Sequence, residues 1–304
     1  MTGGAEPAFD RAPVASGAVV RLTPLVRRLV AGNAGPFTFT GTCTYAVGTG
    51  RVAVIDPGPD DPGHLGRLLE ALQGETVGHI LVTHTHRDHS PGARAVARAT
   101  GAPILGCGPH RRARPLAEGE VASLDASADH DHRPDREMGE GDAVEGPGWR
   151  LEAVPTPGHT ANHLAFALPQ ERALFSGDHV MAWSTSIVAP PDGAMGAYMA
   201  SLARVGARDD AVFWPGHGGP VREPRRFVRA LLHHRRAREA SILAALDAGE
   251  RTVPALVAAS YPGLAPALVG AAGLSVFAHL EDLVARGLAV TDGPPRLAGR
   301  YRAA

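Results

Sequence analysis

Lysine is absent from the 304 residues, so all thirty basic side chains are arginine. Beside the abundant alanine and glycine this reads as a coding bias, and no function attaches to it. Only two cysteines occur, Cys43 and Cys107. Neither has the spacing of a thiolate metal site, and each suits a small buried apolar position better than half of a disulfide. No stretch approaches the roughly 18 apolar residues that a membrane-spanning helix requires, and Met1 to Pro13 lack the apolar centre of a secretion signal. These absences predict a cytoplasmic protein with no membrane partner. Aromatic residues make up 5% of the chain and the formal net charge is -1, which argues against a surface built wholly to coat nucleic acid or lipid.

What is present is concentrated. The stretch Thr83-His84-Thr85-His86-Arg87-Asp88-His89-Ser90 places four metal-capable side chains, His84, His86, Asp88 and His89, within six residues. Ile80-Leu81-Val82 precedes it as a strand end, while Ser90 and Pro91 suit the N-cap and first turn of a helix. The motif therefore belongs on a strand-to-helix loop, where α/β proteins collect ligands. Imidazole and carboxylate together suit zinc or another first-row divalent ion. Three more apolar runs end in a glycine and then a metal-capable residue: Leu151 to Val154 leads to Gly158-His159, Ala173 to Phe175 to Gly177-Asp178, and Val212 to Trp214 to Gly216-His217. Glycine allows the tight turn and close backbone approach that a crowded centre demands.

The length allows a large core with a smaller appendage. From Arg222 onward twelve arginines face seven acidic residues, whereas residues 1–221 carry eighteen against twenty-four. The pattern changes at the same point, from short apolar runs alternating with helices to an almost wholly helical chain. Domains of 15–221 and 222–304 follow. In the first, Val19 to Leu22 with Leu25 to Val30, and Cys43 to Val47 with Arg51 to Ile55, predict two strand pairs. Pro62 to Leu72 and Ala93 to Thr100 predict helices, and Pro103 to Leu105 a short strand. Arg111 to Glu137 reads as a polar insertion whose Asp129-His130-Asp131-His132 is either an exposed loop or a source of extra ligands. Ala182 to Leu202 either roofs the site or contributes Tyr198, Met199 and Leu202 to a helix core. In the second domain, Pro224 to Ala248 predicts one long amphipathic helix with an apolar stripe and Arg222, Arg225, Arg226, Arg229, Arg235, Arg236 and Arg238 among the polar positions. Thr252 to Ala259, Leu264 to Leu268 and Leu274 to Arg286 predict short helices, with a two-stranded wing around Asp292-Gly293.

The ordered set His84-x-His86-x-Asp88-His89, His159, Asp178 and His217 resembles the metallo-β-lactamase fold superfamily, an α+β fold in which two sheets lie between helices in an αββα sandwich. The resemblance implies that His84, His86 and His159 bind one metal, Asp88, His89 and His217 a second, and that Asp178 bridges them. It also implies that Asp56 supports the ligand loop through hydrogen bonds without touching metal, and that His163 orients a neighbour. The absence of a cysteine ligand is similar to the branches around glyoxalase II. The tail resembles a mostly helical winged-helix domain. Together with His86-Arg87-Asp88-His89, Phe175-Ser176-Gly177-Asp178 and Tyr198-Met199-Ala200-Ser201-Leu202, it resembles the β-lactamase-like-protein-2 group, whose animal relatives cleave single-stranded RNA and whose fungal relatives include hydrolases of carrier-bound thioesters.

Independently of family, two divalent ions about 3.5–4 Å apart would share a hydroxide and make it a nucleophile near neutral pH. Zinc is the first expectation, with iron or manganese also compatible. Asp88 either orients that nucleophile and relays a proton, or serves purely as a ligand. The leading expectation is a hydrolase of a small or carrier-bound ester or thioester. A single-strand endoribonuclease using the basic tail is the alternative. A non-catalytic DNA-binding regulator ranks third, because a complete ligand set argues for catalysis.

Overall fold

The computed structural model describes residues 6–120 and 127–304. The centre of the Arg111–Glu137 insertion and the first five residues of the Met1–Pro13 stretch lie outside the described residues. One sheet has seven strands in sequence order: β1 (Val20–Arg21), β2 (Val26–Val30), β3 (Cys43–Thr49), β4 (Arg51–Ile55), β5 (Thr76–Val82), β6 (Ile104–Gly106) and β7 (Arg136–Glu137). The second has five, β8 (Ala143–Gly146), β9 (Trp149–Pro155), β10 (Leu164–Leu168), β11 (Ala173–Gly177) and β12 (Val212–Pro215), again in sequence order across the sheet. Helices α1 (Pro62–Ala71) and α2 (Gly92–Thr100) connect the parallel strands of the first sheet, and α3 (Met195–Ala207) leads into β12.

Side-chain alternation explains why the second sheet is buried on both faces. Along β10, Leu164, Phe166 and Leu168 enter the core shared with the first sheet, while Ala165 and Ala167 enter the core under α3. A strand buried on both sides reads as a continuous apolar run, which is how Leu-Ala-Phe-Ala-Leu reads. Each of these larger side chains contributes about 1.5–3 kcal/mol by leaving water. The predicted strand pairs are present, and so are the predicted helices within a few residues at their ends, except that Leu264 to Leu268 forms only a 3-10 turn and the helix expected from Leu274 starts at Val269. Tyr198 and Leu202 are buried in the α3 core, so the core reading of that segment holds for them.

The C-terminal portion contains α4 (Pro224–Asp247), α5 (Val253–Ser260) and α6 (Val269–Ala285), with a 3-10 turn at Pro266–Leu268. Its small sheet pairs β15 (Arg300–Ala303) with both β14 (Ala289–Thr291) and β13 (Arg251–Thr252). A third strand therefore joins the expected two-stranded wing. Ile242, Leu246, Leu256, Phe277, Leu280 and Tyr301 form its own core. The first half of α4 instead buries Val228 and Leu231 against α3, so the helix is shared between the two portions. No helix among the described residues is long and apolar enough to cross a membrane.

Three local expectations change. Ser90 does not cap α2: Pro91 stands at the cap without a side-chain bond, and Ser90 Oγ donates to Asp129 Oδ2 at 2.8 Å. The described end of the insertion is not exposed throughout, and none of its residues belongs to the two groups of close-set donors. Asp129 and His132 are buried, and Asp129 accepts from Ser90 and Arg94, bracing the loop after β5. Arg235 is buried at 3% exposure although helical periodicity put it among the surface arginines.

Candidate metal centre

All four strand ends deliver their predicted residues to one place. After β5 the chain turns through His84, His86, Asp88 and His89; the loops after β9, β11 and β12 supply His159, Asp178 and His217. Two of the preceding glycines are required by space. A Cβ on Gly216 would meet Asp178 Oδ1 and come within 2.7 Å of His89 Cε1. Gly158 has φ +144° and its missing Cβ leaves room for the Tyr198 backbone.

The donor atoms fall into two groups, His84-His86-His159-Asp178 and Asp88-His89-His217. In the first, His86 Nδ1 lies 3.0 Å from His84 Nε2 and 3.1 Å from His159 Nε2. In the second, Asp88 Oδ2 is 3.2 Å from both His89 Nε2 and His217 Nε2. Asp178 stands between them. Its Oδ2 is 3.3 Å from His217 Nε2, 3.8 Å from His159 Nε2 and 4.0 Å from His84 Nε2. Four-coordinate binding at metal–nitrogen distances of about 2.0–2.1 Å puts neighbouring donors about 3.3 Å apart. The separations of 3.0–3.3 Å within the two trios and from Asp178 to His217 are close to that spacing, and buried Asp178 Oδ1 has no hydrogen-bond partner, as suits a carboxylate built for a cation. The residues present fit two divalent ions.

Electrostatics separates the groups. Burial holds His86 down to about 3, and lowers His84 and His159 as well, so these three imidazoles are neutral and have lone pairs to offer. Burial acts the same way on His217, but Asp178 and Asp88 override it and raise the group to about 10. His89 is raised for the same reason, with Asp56 adding to Asp88 and Asp178. Desolvation would raise both carboxyls, yet the neighbouring imidazoles hold Asp88 and Asp178 well below the usual range. The Nε2 side of this second group demands positive charge, from protons or from a metal ion.

The supporting residues have defined contacts. Asp56 accepts from Thr83 N–H at 2.8 Å, Thr83 Oγ1 at 2.7 Å and His89 Nδ1 at 2.9 Å. That turns the Nε2 of His89 inward. His163 Nδ1 donates to Thr156 Oγ1 at 2.7 Å, and its Nε2 accepts the Asp178 N–H at 3.2 Å. Thr42 was not legible as a functional residue: its hydroxyl donates to Asp88 Oδ2 at 3.0 Å and accepts from Asn33 Nδ2 at 2.9 Å. Ser186 lies in the Ala182–Leu202 stretch that the sequence placed over the site, whereas Ile187 was missed, since its carbonyl contact depends on a loop with no motif. His159 Nδ1 donates to Ile187 O at 2.6 Å.

Asp88 keeps a quarter of its side chain exposed, and so marks the open side of the centre. Beside His217, Phe39 and Trp183 stack at 4.9 Å around Gly218, and Phe37 is 54% exposed nearby in sequence. A separate cavity of about 510 Å³ beside α4, lined by Val221, Arg226 and Phe227 among others, contains none of the seven donors.

The sequence pattern of the metallo-beta-lactamase superfamily matches residues 37–217, the segment that carries every donor. The chain belongs to this superfamily. A second pattern, the beta-lactamase associated winged helix domain, matches residues 252–296. A lactamase-like protein of Aspergillus niger is 31% identical over 263 residues, covering 81% of this chain and 76% of that one. An atrochrysone carboxyl ACP thioesterase of Paecilomyces divaricatus is 33% identical over 232 residues, covering 75% and 67%. Among solved structures, a metallo-beta-lactamase family protein of Thermus thermophilus has a TM-score of 0.73 at 26% identity, covering 93% of this chain and all of that one. This superfamily member is accordingly a metallo-β-lactamase-fold hydrolase with a C-terminal winged helix, and its histidine and aspartate clusters could bind metal.

Proposed function

We propose that this enzyme is a binuclear metal-dependent hydrolase of an ester or thioester, small or carrier-bound. The observation that carries the reading is the Asp178 carboxylate standing between two trios of donors. His84, His86 and His159 would hold one ion, Asp88, His89 and His217 the other, and Asp178 would contact both. When bound, two divalent ions supply a hydrolytic nucleophile near neutral pH and polarise the scissile carbonyl. The nitrogen-rich donor set suits zinc best, and iron or manganese fit the same donors.

The chain's own groups do the rest. Asp88, fixed by the Thr42 hydroxyl and open to solvent on one side, stays ionised and orients the attacking water. Asp56 and His163 hold the ligands His89 and Asp178 in place. The Phe39–Trp183 stack offers an apolar wall for the acyl part of a substrate. The thioesterase relative supports a thioester at this site. The catalytic unit would comprise residues 15–221, and the unit from 222–304 would position it.

The RNA reading loses ground because the basic helix is partly neutralised: Arg225 pairs with Asp209, Arg226 with Glu223, and Arg235 is buried. Metal-loaded protein assayed side by side on an acyl-carrier thioester and on labelled single-stranded RNA decides between them, with Asp88→Ala as the control. Thioester turnover that vanishes in the variant is expected. RNA cleavage that vanishes in the variant and weakens steeply with salt would reverse the assignment.

A further inference from the structure

We infer that Arg235, on the C-terminal helix α4, is a positioning residue for the metal centre in the other portion of the chain. The inference rests on the metal-centre reading above and adds a coupling between the two portions. Arg235 is 3% exposed and has no carboxylate partner among the described residues. A buried unpaired guanidinium is costly unless its donors are used. Its Nη2 donates to Ser186 O at 2.5 Å, its Nη1 to Ser275 Oγ at 3.0 Å, and its Cζ lies 5.2 Å from the centroid of the Tyr198 ring.

The segment it holds touches two of the proposed ligands. The Ser186 hydroxyl lies 2.5 Å from Asp178 O and 2.9 Å from His179 O, donating to this pair of carbonyls. Tyr198 Oη donates to the same His179 carbonyl at 3.1 Å. The next residue, Ile187, offers the carbonyl that accepts from His159 Nδ1. The peptide of the central carboxylate is thus gripped at both ends, at its N–H by His163 and at its carbonyl by Ser186. One of those grips depends on a strap that α4 anchors. A partner of this kind, once removed from around a metal ligand, typically costs 10–100-fold in affinity or activity.

The test measures zinc affinity by chelator competition, together with kcat, KM and melting, in Arg235→Met, Arg235→Lys and Ser186→Ala. Leu231→Ala serves as comparison, because it loosens the same α3–α4 core without removing a hydrogen bond to the strap. The expected result is zinc affinity at least tenfold weaker in Arg235→Met and Ser186→Ala, partial recovery in Arg235→Lys, and unchanged affinity in Leu231→Ala despite a lower melting temperature. Should Arg235→Met fail to fold, Arg235→Lys and Ser186→Ala carry the comparison. Wild-type affinity in the folded Arg235 variants would overturn the role of the helix and leave Arg235 as packing alone. A wild-type chain that binds no zinc, iron or manganese would instead overturn the metal centre itself.

Discussion

Replacing Asp56 by Asn tests whether the centre depends on its outer hydrogen bonds. Asp56 is 2% exposed and its φ is +47°, a region asparagine tolerates, so the backbone has little reason to move. The change keeps the shape but leaves one acceptor oxygen where two served three donors: the Thr83 amide, the Thr83 hydroxyl and His89 Nδ1. The new amide points its own donors at that crowd. At least one buried donor is then unsatisfied, at a cost of about 1–3 kcal/mol. His89 also loses the carboxylate that fixes its tautomer and helps to raise its pKa. Zinc affinity should fall about 10–100-fold, equivalent to about 1.4–2.7 kcal/mol. Chelator competition measures the loss of affinity and urea unfolding the loss of stability. If Asp56→Asn binds zinc as the wild type does and unfolds at the same midpoint, the reasoning that makes Asp56 the anchor of the ligand loop is wrong.

Three further outcomes can be checked. In α6, burial holds His279 down to about 3, with Arg235, Arg238 and Arg286 acting in the same direction, and neither ring nitrogen has a partner. Its folded pKa lies below the unfolded value of about 6.5, so its contribution is full above that pH and is lost as pH falls toward 3. At pH 5 the loss amounts to about 2 kcal/mol; urea midpoints of the wild type and His279→Leu should therefore diverge in favour of the variant between pH 8 and pH 5, and parallel curves would refute the assignment. Gly216→Ala should lose most bound metal and cost about 1–3 kcal/mol of stability, because its Cβ meets Asp178 and His89; full metal content by elemental analysis would show that the site yields easily. Trp183→Ala should raise KM for an apolar acyl thioester several-fold with metal content unchanged, since it removes one half of the Phe39–Trp183 wall; equal KM values would take the wall out of substrate binding.

The chain order of β5, β9, β11 and β12 could be read in advance because each strand is a short apolar run, and because turn, glycine and ligand follow it within a few residues. His84, His86, Asp88 and His89 were legible for the same reason: all four sit on one loop. Asp56 and His163 needed the family resemblance, as nothing local marks an aspartate or a histidine as a hydrogen-bond partner of a ligand. The basic stripe shows where periodicity misled. A helix pattern reports which residues share a face, and cannot say that the face carrying Arg235 meets a second surface made by Ser186, Tyr198 and Ser275.

The sequence by itself determined the donor types, their order and the strand ends that present them, since these follow from local polarity, glycine placement and strand length. Only the tertiary structure decided that Asp178 stands between the two trios, that Thr42 holds Asp88, and that Arg235 reaches from α4 to the loop beside His159. The last two contacts join residues 46 and 49 positions apart in the chain. A hydrogen bond is set by distances of a few tenths of an ångström, and distances that fine between remote residues exist only once both sheets and α4 are packed.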